Sequence, residues 1–155
     1  MKTEQAVMLE REELKLVGYA ITESLNHVLE SRIVGELREE LERRRNVIEY
    51  RIGTGMYLIQ IYPNDGHWTP DVPYRHVVAF EVASYGNIPS RMTSHAVAAG
   101  QYVKFIHNGP ESKIGSTYEF INNTFGARPV DIEFWNDIHS LESEDSRIDI
   151  YVPAG

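Results

Sequence analysis

Ala99-Gly100-Gln101-Tyr102-Val103-Lys104-Phe105-Ile106-His107 reads as a strand, and the segments after it decide the fold. A helix is expected from about Ser116 to Phe125, where Ser116-Thr117-Tyr118-Glu119 has capping-box spacing and Tyr118, Ile121 and Phe125 can share one face. Val130 to Trp135 and Arg147 to Val152 supply two further strands, separated by the acidic loop Ser140-Leu141-Glu142-Ser143-Glu144-Asp145-Ser146. The order is β-α-β-β.

Moving towards the N-terminus, a linker around Gly86-Asn87-Ile88-Pro89-Ser90 precedes this unit, and the same order stands before it. Glu4 to Tyr19 reads as strand. From about Asn26, a possible cap, to Ile48, Leu29, Ile33, Leu37 and Leu41 recur every four residues as on one face of a helix, with Glu36, Arg38, Glu39, Glu40 and Arg43 outside. Met56 to Tyr62 and His76 to Ala83 then read as strands around a loop, residues 63–73, dense in turn formers. The expected fold is α+β: a pseudo-symmetric duplication of a β-α-β-β unit in one domain over 1–155, with half-repeats about 4–84 and 92–154. It would have antiparallel sheets, two main helices and a ligand cleft between the halves.

The halves superpose locally, Ile59-Gln60-Ile61-Tyr62 on Ile132-Glu133-Phe134-Trp135 and Phe80-Glu81-Val82-Ala83 on Ile150-Tyr151-Val152-Pro153. With a strand period of two, Ile59, Ile61, Ile132 and Phe134 are expected to face the helices, as are Val78, Phe80, Val82, Ile148, Ile150 and Val152. Gln60, Tyr62, Glu133, Trp135, Glu81, Asp149 and Tyr151 would then share the opposite face. Aromatic rings beside carboxylates are what a ligand cleft offers.

Composition bounds the function. The chain has 155 residues, no cysteine and a formal net charge of −8. Disulfides, thiolate nucleophiles and cysteine-based zinc sites are excluded. Direct nucleic-acid binding is not expected, since that affinity comes from phosphate neutralisation; the one dense basic run, Arg43-Arg44-Arg45, ends a helix, where it complements the dipole. No signal pattern or membrane-spanning apolar run is present, so a cytoplasmic protein is expected. The six histidines show no metal-binding spacing, there is no Gly-x-Ser-x-Gly elbow, and Gly53-Thr54-Gly55 precedes a strand and so makes no phosphate loop. No metal, no cofactor and no catalysis are expected.

Ala99-Gly100-Gln101-Tyr102-Val103-Lys104-Phe105-Ile106-His107-Asn108-Gly109-Pro110 resembles the Ala-Gly-x-Tyr…Phe-x-His-x-Gly-Pro segment of the gyrase-inhibitor-like, or AraC-type, effector-binding domains. Thr117-Tyr118-Glu119-Phe120-Ile121 is similar to the start of that family's second helix, Ile132-Glu133-Phe134-Trp135 to its aromatic-Glu-x-Tyr strand, and Arg147 to Pro153 to its closing strand. The resemblance covers nearly the whole chain. It implies a pocket in which aromatic rings and a buried glutamate hold lipophilic cations, with Glu133 as the glutamate and Tyr151 and Tyr102 at frequent aromatic positions. Trp135 and Ile132 depart from the family pattern, implying a differently shaped pocket. Nothing like a helix-turn-helix domain precedes the module, so a stand-alone binder is expected.

Periodicity alone leaves Glu133 two roles, a pocket anchor or a strand glutamate paired with a surface Arg or Lys, and the resemblance favours the anchor. Bound there, a cation would gain about 0.5–2 kcal/mol per aromatic ring. Tyr62, Tyr102, Tyr118, Trp135, Tyr151 and Glu81 complete the expected binding set, with Trp68 as a lid residue. The expected partner is an amphipathic cationic small molecule, bound for sequestration or sensing. One alternative is hydrolysis of strained small molecules with Glu133 as acid or base. Another is a protein-interaction module of the gyrase-inhibitor type, for which Glu142, Glu144 and Asp145 offer an acidic surface; a homodimer is a further possibility.

Overall fold

The computed structural model describes residues 6–63 and 69–154, so Trp68 lies outside the described residues. The strands are β1 (Ala6–Arg11), β2 (Leu14–Glu23), β3 (Met56–Ile61), β4 (Tyr74–Glu81), β5 (Thr93–Val97), β6 (Gly100–Asn108), β7 (Val130–Trp135) and β8 (Arg147–Pro153). The helices are α1 (Leu25–Glu30), α2 (Ile33–Arg43) and α3 (Ile114–Phe125). All eight strands form one sheet, in the order β1-β6-β8-β7-β3-β4-β2-β5. Every pairing is antiparallel.

That order explains both the duplication and the shape. β6, β8 and β7 mirror β2, β4 and β3 about the β3–β7 junction, so the two β-α-β-β units meet at the centre of the sheet. The flanking strands are exchanged: β1 leads into the first unit but pairs with β6 of the second, and β5 leads into the second but pairs with β2 of the first. The expected long strand Glu4 to Tyr19 is therefore two strands in different halves, broken at Glu12-Glu13.

β1 and β2 stand six positions apart, about 29 Å across a flat sheet at roughly 4.8 Å per strand. The three Cα steps from Arg11 to Leu14 span at most about 11 Å. The β5-to-β6 link, Val97 to Gly100, is equally short. A flat sheet cannot satisfy either link, so the sheet curls into a half-barrel.

Curling buries both faces. On the helix face, Val17, Val78, Phe80, Phe105, Trp135, Ile148 and Ile150 pack with Leu41 of α2 and Ile121 of α3. On the inner face, Leu14, Leu16, Tyr57, Ile59, Val77, Ala79, Ile132 and Tyr151 pack on one another without a helix. Gly18 allows the closest approach, since a Cβ there would stand 2.0 Å from the Val78 carbonyl oxygen.

The expected helix over Asn26 to Ile48 is interrupted at Ser31-Arg32. Ser24, not Asn26, caps α1, its Oγ accepting from the His27 amide at 3.2 Å, while the Asn26 side chain donates to Asp71. Leu29 is exposed, so the every-four pattern overstates the buried face. Arg43 does end α2, paired with Glu40. α3 starts at Ile114, without a side-chain cap. His107 fastens its start: Nε2 donates to the Pro110 carbonyl and Nδ1 accepts from the Thr117 hydroxyl, both at 2.8 Å. That is a structural reason for the His-x-Gly-Pro segment. Among the described residues no helix is long and apolar enough to cross a membrane.

Candidate functional site

β3 and β7 are turned over relative to expectation. Ile59 and Ile132 are core residues of the inner face, with Ile61 and Phe134 packed against them. Met56, Leu58 and Trp135 belong to the helix face. The superposition of the two strands was in phase, so both invert together. Alternation misleads here, because both faces of these central strands are buried and the face under the helices is the one that carries Gln60, Asp131 and Glu133. The expectation for β4 and β8 stands, with Val78, Phe80, Val82, Ile148, Ile150 and Val152 on the helix face.

The inversion places Glu133 under α3 at the junction of the halves. It is 4% exposed. Tyr118 of α3 donates its hydroxyl to Oε2 at 2.5 Å, and the Trp135 indole donates Nε1–H to Oε1 at 2.9 Å. Gln60 on β3 donates to the Tyr118 hydroxyl at 2.9 Å, with its amide 3.5 Å from Oε2. These donors are neutral, and among the described residues no Arg or Lys pairs with Glu133. Burial raises the carboxyl pKa to about 7 against the bonds from Tyr118 and Trp135, and nearby Glu111 and Asp131 push the same way. Burial next to Glu133 also holds the Tyr118 hydroxyl protonated, well above its ordinary range.

Asp131, two residues earlier on the same face, is fully buried but paired. Arg128 donates Nε and Nη2 to its two oxygens at 2.5 and 2.9 Å, and the Tyr62 hydroxyl donates at 2.6 Å. Tyr62 stacks on Tyr74, 5.0 Å between centroids, and Tyr74 on His76 at 4.1 Å. The Tyr74 hydroxyl reaches Gln60 Oε1 at 3.4 Å. Burial raises the pKa of both phenols. One aromatic, hydrogen-bonded wall thus runs from Trp135 to Tyr62 and His76, with an unpaired carboxylate at one end and a paired one at the other.

Of the expected binding set, Glu133, Trp135, Tyr118 and Tyr62 come together on this face, and Tyr151, Tyr102 and Glu81 do not. Tyr151 is an inner-face residue under Arg11, whose Cζ is 4.3 Å from its ring centroid. Glu81 lies in the field of Arg11 and Tyr57. The Tyr102 hydroxyl donates to the Ala98 carbonyl at 2.6 Å. Tyr102 also lines an apolar cleft of about 490 Å³ with His95, Val97, Ile61, Val130 and Pro153, where no carboxylate stands. Phase explains the separation: strands β7 and β8 carry opposite parity relative to the expected alignment.

Sequence reasoning put Gln60 on one face with Glu133 but missed their contact, the Asp131–Arg128 pair, Tyr74, and Arg38, which pairs with Glu111 and lies over the Trp135 ring. Arg128 and Asp131 are three residues apart and readable as a pair; the others meet only through folding. At the junction of the halves, where a cleft is expected, Gln60, Tyr74, Glu133 and Trp135 are all buried. The acidic loop is partly structural, as Glu142 accepts from the Ser112 amide and hydroxyl. Among the described residues no three His, Asp or Glu converge as a metal site.

The half-barrel matches known proteins in fold. The chain is similar to EcmrR as seen in a cryo-EM complex with DNA (TM-score 0.72, 14% identity, 99% of this chain and 58% of that one). It is similar to SAV2435, solved bound to tetraphenylphosphonium (TM-score 0.71, 16% identity, 96% of this chain and 93% of that one). It also resembles a hydrolase encoded by lin2189 from Listeria innocua (TM-score 0.59, 10% identity, 97% and 92%). The chain spans 58% of the EcmrR chain's length. No curated protein matches it in sequence. The model of the GyrI-like small molecule binding domain matches residues 7–154, which takes in all eight strands but for Ala6, and by that match the chain belongs to the GyrI-like family.

Proposed function

We propose that this domain binds amphipathic organic cations reversibly, with Glu133 as the anionic anchor and Trp135, Tyr118 and Tyr62 as the aromatic surround. One observation carries the reading: Glu133 is a buried carboxyl held only by neutral donors, with no basic partner among the described residues. A structural strand glutamate would be paired, as Asp131 is. An unpaired buried carboxylate is costly, and a bound cation removes that cost by supplying the missing charge. The tetraphenylphosphonium bound to SAV2435 supports this ligand class.

The test is calorimetric titration at pH 8 with tetraphenylphosphonium, anionic tetraphenylborate and neutral triphenylphosphine oxide. The cation is expected to bind with micromolar affinity, about −8 kcal/mol, and Glu133→Gln to weaken it at least about tenfold. Equal binding of tetraphenylborate, or an unchanged affinity in Glu133→Gln, would remove Glu133 as the anchor. Affinity should also rise as the pH is raised through about 7, because the ionised carboxylate is the form that pairs with a cation. Titrations at pH 6 in two buffers of different ionisation enthalpy should reveal proton release on binding. An affinity flat from pH 6 to 8 would place the cation elsewhere.

A second reading has its own observation. A carboxyl with a pKa of about 7, accepting from a phenol at 2.5 Å, is suited to general acid–base work on a bound small molecule. Turnover beyond one equivalent of a hydrolysable ligand, lost in Glu133→Gln, would favour this reading over binding alone.

A further inference from the structure

The Trp135 ring is already occupied by a cation. Arg38 of α2 lies over it, Cζ 4.5 Å from the ring centroid. Its Nη1 and Nη2 donate to the two oxygens of Glu111 at 3.0 and 3.2 Å. The ring edge meanwhile donates to Glu133. One face and the edge are taken, by a guanidinium and a carboxylate of this same chain. A ligand cation that approaches Glu133 and stacks on that face of Trp135 therefore has to take the place Arg38 holds.

The elements carrying this contact are lightly held. α2 buries only Leu41 fully, and α1 before it buries nothing. Arg38 and Glu111 keep 16% and 27% side-chain exposure, so the pair is partly buried and still open to water at its edge. The pair also ties α2 of the first unit to the turn before α3 of the second, across the junction where Glu133 lies.

We propose that Arg38 is a resident cation that closes the Glu133–Trp135 site, and that a ligand cation binds by displacing it. Arg38 is thereby an affinity-setting and size-selecting residue: a ligand has to outcompete a guanidinium for one indole face and then fit the space its side chain leaves. The proposal rests on the cation-binding reading above. When only the displaced form binds, apparent affinity falls by the fraction of molecules in that form, so removing the resident cation raises it.

The experiment is titration of tetraphenylphosphonium into wild type, Arg38→Gln and Arg43→Gln at pH 8. Both substitutions remove one positive charge from α2, but Arg43 is exposed and paired with Glu40 away from Trp135. Arg38→Gln is expected to bind about tenfold more tightly than wild type, and Arg43→Gln within about twofold of it, because exposed charges at a distance are screened. Equal affinities for the two variants, in a chain whose wild-type binding is lost in Glu133→Gln, would overturn the role of Arg38 and leave the cation reading intact. If none of the three proteins binds the cation, the cation reading falls and this proposal with it. A readout independent of any variant is the Arg38 side-chain proton resonance of wild type, shifted upfield by the indole ring current. It is expected to move to its unstacked position at saturation with tetraphenylphosphonium. Retention of the upfield shift in the saturated complex would show that Arg38 is not displaced.

Discussion

Glu133→Gln is expected to match wild type in stability near pH 4 and to exceed it by an amount on the order of 3 kcal/mol above pH 8. The folded-state pKa is raised from 4.5 to about 7. Between those values the folded state binds more protons than the unfolded state. The contribution is therefore fully present below about pH 4.5 and is lost as pH rises through about 7. A glutamine of the same shape never ionises and has no such loss. Buried His76 and half-buried His95 work in the opposite direction, since burial lowers the pKa of both, and stability from them rises with pH. They are present in both proteins, so the difference between the two stability curves isolates Glu133. Urea denaturation at pH 4, 7 and 8.5 measures it, and parallel curves for the two proteins would show that burial does not perturb the carboxyl.

The neighbouring acid should behave in the opposite way. Asp131 is fully buried, and Arg128 binds it through two nitrogens with only 9% of its own side chain exposed. Asp131→Asn removes the negative charge and leaves the guanidinium without its anionic partner in a largely buried position. Breaking one partner out of a buried pair costs about 3–5 kcal/mol. The double variant Asp131→Asn/Arg128→Met removes the stranded charge as well and should recover a large part of that loss. Thermal and urea unfolding of the two singles and the double form the cycle. A single Asp131→Asn variant within about 1 kcal/mol of wild type would mean that water reaches Arg128 and that the pair is a surface one. Two carboxylates two residues apart on one strand face thus have opposite expected responses to neutralisation, and the difference is the presence of a basic partner.

That difference was only half legible in sequence. Asp131 and Arg128 stand three residues apart, so their pairing follows from local geometry. For Glu133 the sequence left two readings open, and the donors that decide between them come from β3, β7 and α3. The expected binding set held Glu133, Trp135 and Tyr118, and the fold places these three together. That set also held Tyr151 and Tyr102, and those two lie on the inner face.

The amino-acid sequence by itself determined the repeated β-α-β-β order, though not the split of β1 from β2, the break between α1 and α2, or β5. It also determined the superposition of β3 on β7, the faces of β4 and β8, and the family. These follow from alternation, turn residues and short motifs, all of which act over a few neighbours along the chain. Tertiary structure alone decided the exchange of β1 and β5 between the halves, the faces of β3 and β7, and the stacking of Arg38 on Trp135. Each depends on the curl of the sheet. Once curling buries both faces of the central strands, hydrophobic alternation misleads about which face meets the helices. The partners of Glu133 are then chosen by which face meets α3, a choice made by contacts between residues up to 73 positions apart.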